Sequence, residues 1–175
     1  PDRVRHLWRY SDPVELLPKG SLLPKELEEL ALPFDVASQE NSAILQAGKP
    51  VSETLSPQSK EQGVELLSFS DSGLALRHAG KLISAEHGLF EALNSATFNA
   101  DLVLKVPRNA ALNQPLHIVI PASMNSTMPR VLAVIEEGAE VTIIEEHLGG
   151  TIGSAVVGVS EVFAGPNTKV RYVLS

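Results

Sequence analysis

A mainly β protein, built as a parallel β-helix with a small helical N-terminal region, is the fold class this sequence predicts. Three observations carry it. The 175 residues are 43% hydrophobic and 20% charged, enough apolar material for one domain with a core. Beyond residue 100 the chain breaks into short apolar runs separated by Pro, Gly and Asn. Those runs recur at a fixed offset of 29 residues. The division that follows is an N-terminal, mostly helical or irregular region over 1–96 and a β-helix core over 97–175.

In the first region, Pro1, Pro13, Pro18, Pro24, Pro33, Pro50 and Pro57 forbid long helices. A short helix is expected over Pro24–Ala31, where Pro24 suits the first helical position and Leu23, Leu27, Leu30 and Ala31 share a face. Residues 36–62 are polar and read as loop with a short strand at Ser42–Gln46. Leu89, Phe90, Leu93 and Ala96 recur at the helical period, which predicts a helix over Ala85–Ala96 capped by Ser84. Strands are expected at Leu102–Val106, Leu116–Ile120, Val131–Ile135, Val141–Ile144, Ala155–Val162 and Val170–Leu174.

The repeat sets Leu102–Leu112 over Val131–Val141 and over Ser160–Val170. Its columns Leu104/Ala133/Val162, Val106/Ile135/Ala164, Ala110/Ala139/Thr168 and Leu112/Val141/Val170 are small or apolar and belong inside. The alternate columns Ala111/Glu140/Lys169 and Asn113/Thr142/Arg171 belong in water, because successive strand side chains point to opposite faces. Asn109, Gly138 and Asn167 fill one turn column with residues that tolerate positive φ. Coils stacked about 4.8 Å apart are the simplest structure that repeats the same corner; three similar antiparallel hairpins are the alternative. A fainter match at Gly73–Gly80 reads as an entry strand. Apolar residues in the outer columns, Val103/Leu132, Val134/Phe163 and Ile144/Val173, call for a cover, either the N-terminal segment or a partner. The last apolar run reaches Ser175, so the chain reads as part of a longer stack.

Charge and composition narrow the function. A net charge of −7 disfavours a general nucleic-acid-binding role, although Arg3, Arg5, Arg9 and Lys19 gather near the start. Without cysteine there is no disulfide, thiolate nucleophile or sulfur ligand. No apolar run is long enough to span a membrane and no signal-peptide pattern opens the chain, so a cytoplasmic location is expected. Trp8 and Tyr10 read either as an interaction surface or as an anchor for the N-terminal arm.

Established catalytic motifs are missing. Gly149–Gly153 lacks the Lys of a phosphate loop and reads as a connection. The residues with most chemical potential are Glu145, Glu146 and His147: in an extended chain Glu145 and His147 point to one side, as two metal ligands or a carboxylate-oriented imidazole require. His117, one repeat before Glu146, adds a third candidate ligand. Against that stands a plain solvated strand end. His6, His78 and His87 have no partner at ligand spacing, and Asn125–Thr127 matches a glycosylation pattern without a secretory context.

Several segments together resemble the SufB/SufD family of iron–sulfur cluster assembly proteins, and SufD more than SufB. They are Leu7–Pro13, Phe90–Ala96, Val103–Pro107, Gln114–Ile118, Pro129–Leu132, Gly138–Thr142 and Glu145–His147. The resemblance implies a helical N-terminal region followed by a right-handed β-helix, a single-stranded solenoid of about 29 residues per coil. It also implies a non-enzymatic SufD-like scaffold or accessory subunit. Its partners would be a SufB-like scaffold and a SufC-like ATPase, or a second copy of itself as a homodimer, with the iron–sulfur cluster assembled by the complex and none bound by this stretch. No cluster ligand is carried over to any residue. A carbohydrate-active or other β-solenoid enzyme is the alternative, for which paired carboxylates in an aromatic-lined groove are expected; only Phe98, Phe163 and Tyr172 lie beyond residue 95.

Overall fold

A computed structural model describes residues 12–18, 40–121, 126–149 and 155–175. The expected helix at Pro24–Ala31, the basic stretch with Trp8 and Tyr10, His6, Asn125 and 150–153 of the glycine-rich connection lie outside the described residues. A 3-10 turn at Pro13–Leu16 comes first, capped by Asp12, whose carboxylate accepts from the Val14 N–H at 2.9 Å. Then follow β1 (Ser42–Ile44), β2 (Ser52–Thr54), α1 (Pro57–Glu61), β3 (Glu65–Leu67), α2 (Gly73–His78), α3 (Leu89–Thr97) and β4 (Ala100–Val106). The rest is β5 (Leu116–Pro121), β6 (Pro129–Ile135), β7 (Glu140–Leu148), β8 (Val159–Ala164) and β9 (Lys169–Leu174).

The strands form two sheets, ordered β2-β1-β5-β7-β9 and β3-β4-β6-β8. All pairs are parallel except β1 with β2 and β3 with β4. This topology corrects the expected right-handed parallel β-helix. The protein is a strand-rich, mixed α/β structure of two parallel-dominated sheets. Each sheet contains an antiparallel pair, and strands from before residue 97 are built into both: β1 lies beside β5 and β3 beside β4. A three-residue strand such as β2 is too short to show a period of two, which is why its surroundings in 36–62 read as loop.

The 29-residue offset is the register of the parallel pairs β4–β6, β6–β8 and β7–β9. Leu104 faces Ala133, which faces Val162, and Val141 faces Val170. Between β5 and β7 the register is two residues shorter. Ala111 still bridges Glu140, but Leu116 faces Ile143, so residues 112–115 absorb the difference. The turn column adopts the backbone its residues favour, with φ of 60° at Asn109, 73° at Gly138 and 58° at Asn167. These turns stack through Asn109 N–H to Glu137 O and Gly138 N–H to Pro166 O, both 3.0 Å. At Gly138 a Cβ would press on Asn109 Oδ1, so glycine fits there without displacing that side chain.

The core lies between the sheets. Leu102, Leu104, Val106, Ile118, Ile120, Ala133, Ile135 and Ile143 are buried there in one group. Outside the four-stranded sheet a second group forms, in which Val103 and Leu132 pack under Ala75 of α2, flanked by Phe69, Leu74 and Phe163. The cover for the outer columns Val103/Leu132 and Val134/Phe163 is thus the chain's own α2, whereas Ile144/Val173 lies on the other sheet, outside this group. Two local expectations change accordingly. Within Gly73–Gly80 the chain forms the helix α2 over Gly73–His78 rather than an entry strand, its first turn held by the Ser72 hydroxyl accepting from Leu74 N–H. The helix expected from Ala85 begins at Leu89 after Gly88, and Ser84 instead bonds to the His87 ring. Among the described residues no helix is long and apolar enough to cross a membrane.

Candidate functional site

Strand parity separates the candidate residues. On β7, Val141, Ile143, Glu145 and His147 share the inner face, whereas Thr142, Ile144 and Glu146 point away from the core. Glu145 therefore enters the space between the sheets near the edge strands β8 and β9, and its side chain is only 5% exposed. One carboxylate oxygen, Oε1, lies 2.8 Å from His147 Nε2. Since an ionised carboxylate only accepts, Nε2 carries the proton. The other oxygen, Oε2, accepts from the Ser160 hydroxyl at 2.8 Å and from the Tyr172 hydroxyl. Three side chains from β7, β8 and β9 thus converge on one carboxylate.

Burial pushes the Glu145 carboxyl up, but the donors His147, Tyr172 and Ser160 outweigh it, and the group sits below its ordinary value. The same contact acts in reverse on Tyr172: burial, the Glu145 charge and the hydrogen bond to it raise the phenol far above its ordinary value. His147 keeps 31% of its side chain exposed, which leaves the group an opening to solvent.

His117 is not part of this group. It lies on the outer face of β5, and its Nδ1 stands 3.5 Å from Glu146 Oε2 on β7. Both atoms are buried and neither makes a hydrogen bond. The three candidates Glu145, His147 and His117 are thus placed as two groups on opposite faces of one sheet. Among the described residues no three His, Asp or Glu side chains gather where they could hold a metal ion.

Sequence reasoning missed Ser160 and Tyr172. The signal was present, since the inward column Leu112/Val141/Val170 continues to Ile143/Tyr172 and to Glu145/Leu174 when the parity is carried along the strands. Another unread group lies outside the four-stranded sheet. Glu161 there accepts from the N–H groups of Gly80 (2.7 Å), Leu82 (2.9 Å) and Ile83 (3.2 Å) and pairs with Arg130 at 3.1 Å. Burial pushes the Glu161 carboxyl up, and the three backbone donors with the Arg130 charge bring it below its ordinary value. Arg130 also donates to Asn94 Oδ1 and Ser95 Oγ. The buried Asn94 amide donates to Pro129 O and Val157 O. This network fastens the 80–97 segment to β6 and β8. His78 rests edge-on against Phe163 with ring centroids 4.7 Å apart, a packing role.

Comparison with known proteins finds no matching family model. An iron–sulfur cluster assembly SufBD family protein of Synechocystis is 29% identical over 100 residues, covering 49% of this chain and 22% of that protein. The iron–sulfur cluster assembly protein SufD of Bacillus subtilis is 28% identical over 160 residues, covering 83% of this chain and 36% of that protein. The chain thus spans about a third or less of the length of the curated relatives it matches.

Proposed function

We propose, on the premise of SufB/SufD family membership that both relatives support, that this chain belongs to a SufD-like accessory subunit in iron–sulfur cluster assembly. The observation that carries the reading is the similarity to a SufD protein through most of the chain. In this reading the subunit is a scaffold and not an enzyme. It works in the cytoplasm with a SufB-like subunit and a SufC-like ATPase, and the cluster is cargo of the complex. The described stretch offers no thiolate of its own to such a cluster, which suits an accessory partner better than the cluster-bearing chain. The test is affinity purification of the full-length protein from its native cell. Recovery of SufB-like and SufC-like chains in fixed ratio supports the reading. A protein that stays monomeric and brings down neither overturns it.

A further inference from the structure

The outer face of the four-stranded sheet is covered by a segment that buries very little of itself. From Gly73 to His87 the one buried side chain is Ala75, which meets Val103 on β4 and Leu132 on β6. Leu74 and His78 pack beside it while partly exposed, and Leu76 and Leu82 are 92% and 49% exposed. The chain on either side is fastened separately. Ahead of the segment, Phe69 N–H donates to Asp101 Oδ1 on β4 at 2.7 Å. Behind it, the Asn94 amide of α3 donates to Pro129 O and Val157 O, contacts in which Glu161 has no part. In between, the N–H groups of Gly80, Leu82 and Ile83 all converge on the Glu161 carboxylate. Burying one alanine gains little from the hydrophobic effect, whereas hydrogen bonds to a charged acceptor are roughly twice as strong as neutral ones. The carboxylate therefore supplies most of the hold.

We propose that residues 73–88 form a strap that opens as one unit while both sheets stay folded, with the Glu161 carboxylate as its latch. Opening breaks the three N–H contacts to Glu161 and lifts Ala75 off Val103 and Leu132. That bares an apolar strip, continued by Val134 and Phe163, on the outer face of the sheet. The charges stay behind as a pair. Arg130 keeps Glu161 through Nη2 and remains held by Asn94 and Ser95 through Nη1, so the open form leaves no buried charge alone. Water takes over the three released N–H groups. Segments with few buried apolar contacts open at a lower free energy than the core beneath them, and this one is closed by a single side chain. The strap is a property of the fold and stands whether or not the partner assignment above holds.

The test is thiol labelling of the full-length protein, read site by site by mass spectrometry; the 175 residues contain no cysteine of their own. Val103 and Leu104 are neighbours on β4 and both fully buried, the first under α2 and the second between the sheets. Without urea, the thiol of Val103→Cys should be labelled at least about tenfold faster than that of Leu104→Cys. Its rate should also climb less steeply with urea, because an opening strap exposes less surface than unfolding does. Adding Glu161→Gln should speed labelling at position 103 at least about tenfold. Leu132→Cys and Ala133→Cys, on the same two faces of β6, give the second reading where a β4 variant fails to fold. Equal rates and equal urea slopes on the two faces overturn the strap, as does a rate under α2 that Glu161→Gln leaves unchanged.

Discussion

Glu161 on the edge strand β8 and Glu145 on β7 are both buried acids, yet they are satisfied in opposite ways. The Glu161 carboxylate meets three backbone N–H groups and a guanidinium, groups that cannot give up their roles. It joins a loop and a helix to a sheet, and that is structural work. The Glu145 carboxylate meets three side chains, each able to rotate away, beside a route to solvent. One buried acid is thus fixed by backbone and Arg, and the other is held by side chains alone.

The largest expected effect is at the fastening. Glu161→Ala leaves Arg130 buried without a counter-charge and three N–H groups unpaired, and should cost about 3–5 kcal/mol in urea unfolding. A cost under 1 kcal/mol would show that the 80–97 segment is not held this way. Next comes Tyr172→Phe, which removes one donor from a buried carboxylate and should cost about 1–3 kcal/mol.

Both acids also predict a pH dependence. Their folded-state values lie below the ordinary 4.5, so each contributes stability above that value and loses it as pH falls through the lowered one. Unfolding free energy should therefore drop below about pH 4.5, and Glu161→Gln should flatten the drop. In Tyr172→Phe, where Glu145 has lost a donor and its folded-state value moves back toward the ordinary one, the drop should be smaller. The smallest effect belongs to the exposed Lys169–Glu140 pair at 2.6 Å. Lys169→Ala should change stability by no more than about 0.5 kcal/mol and serves as the control for an ion pair in water.

Much of the register was readable from residue types. Leu104, Ala133 and Val162 are small or apolar because they stack, and Asn109, Gly138 and Asn167 are what a left-handed corner accepts. Fold class was misread because the repeat speaks only for the parallel strands; β2 and β3, three residues each, join through antiparallel edges that no periodicity announces. Within the candidate site, spacing put Glu145 and His147 on one side of a strand, and the structure brings them to 2.8 Å. His117 was drawn in by applying the 29-residue offset where the chain, after Ala111, has changed register. The Arg130–Glu161 pair left no local trace, since its partners are 31 residues apart and the other three donors to Glu161 are backbone N–H groups.

The central claim is that parallel pairing of β7 with β9 brings Glu145 and Tyr172, 27 residues apart, into one coupled pair. A double-mutant cycle of Glu145→Gln and Tyr172→Phe in urea unfolding tests it most directly. The account predicts a coupling of about 0.5–3 kcal/mol between the two substitutions. Strict additivity of their effects would contradict it.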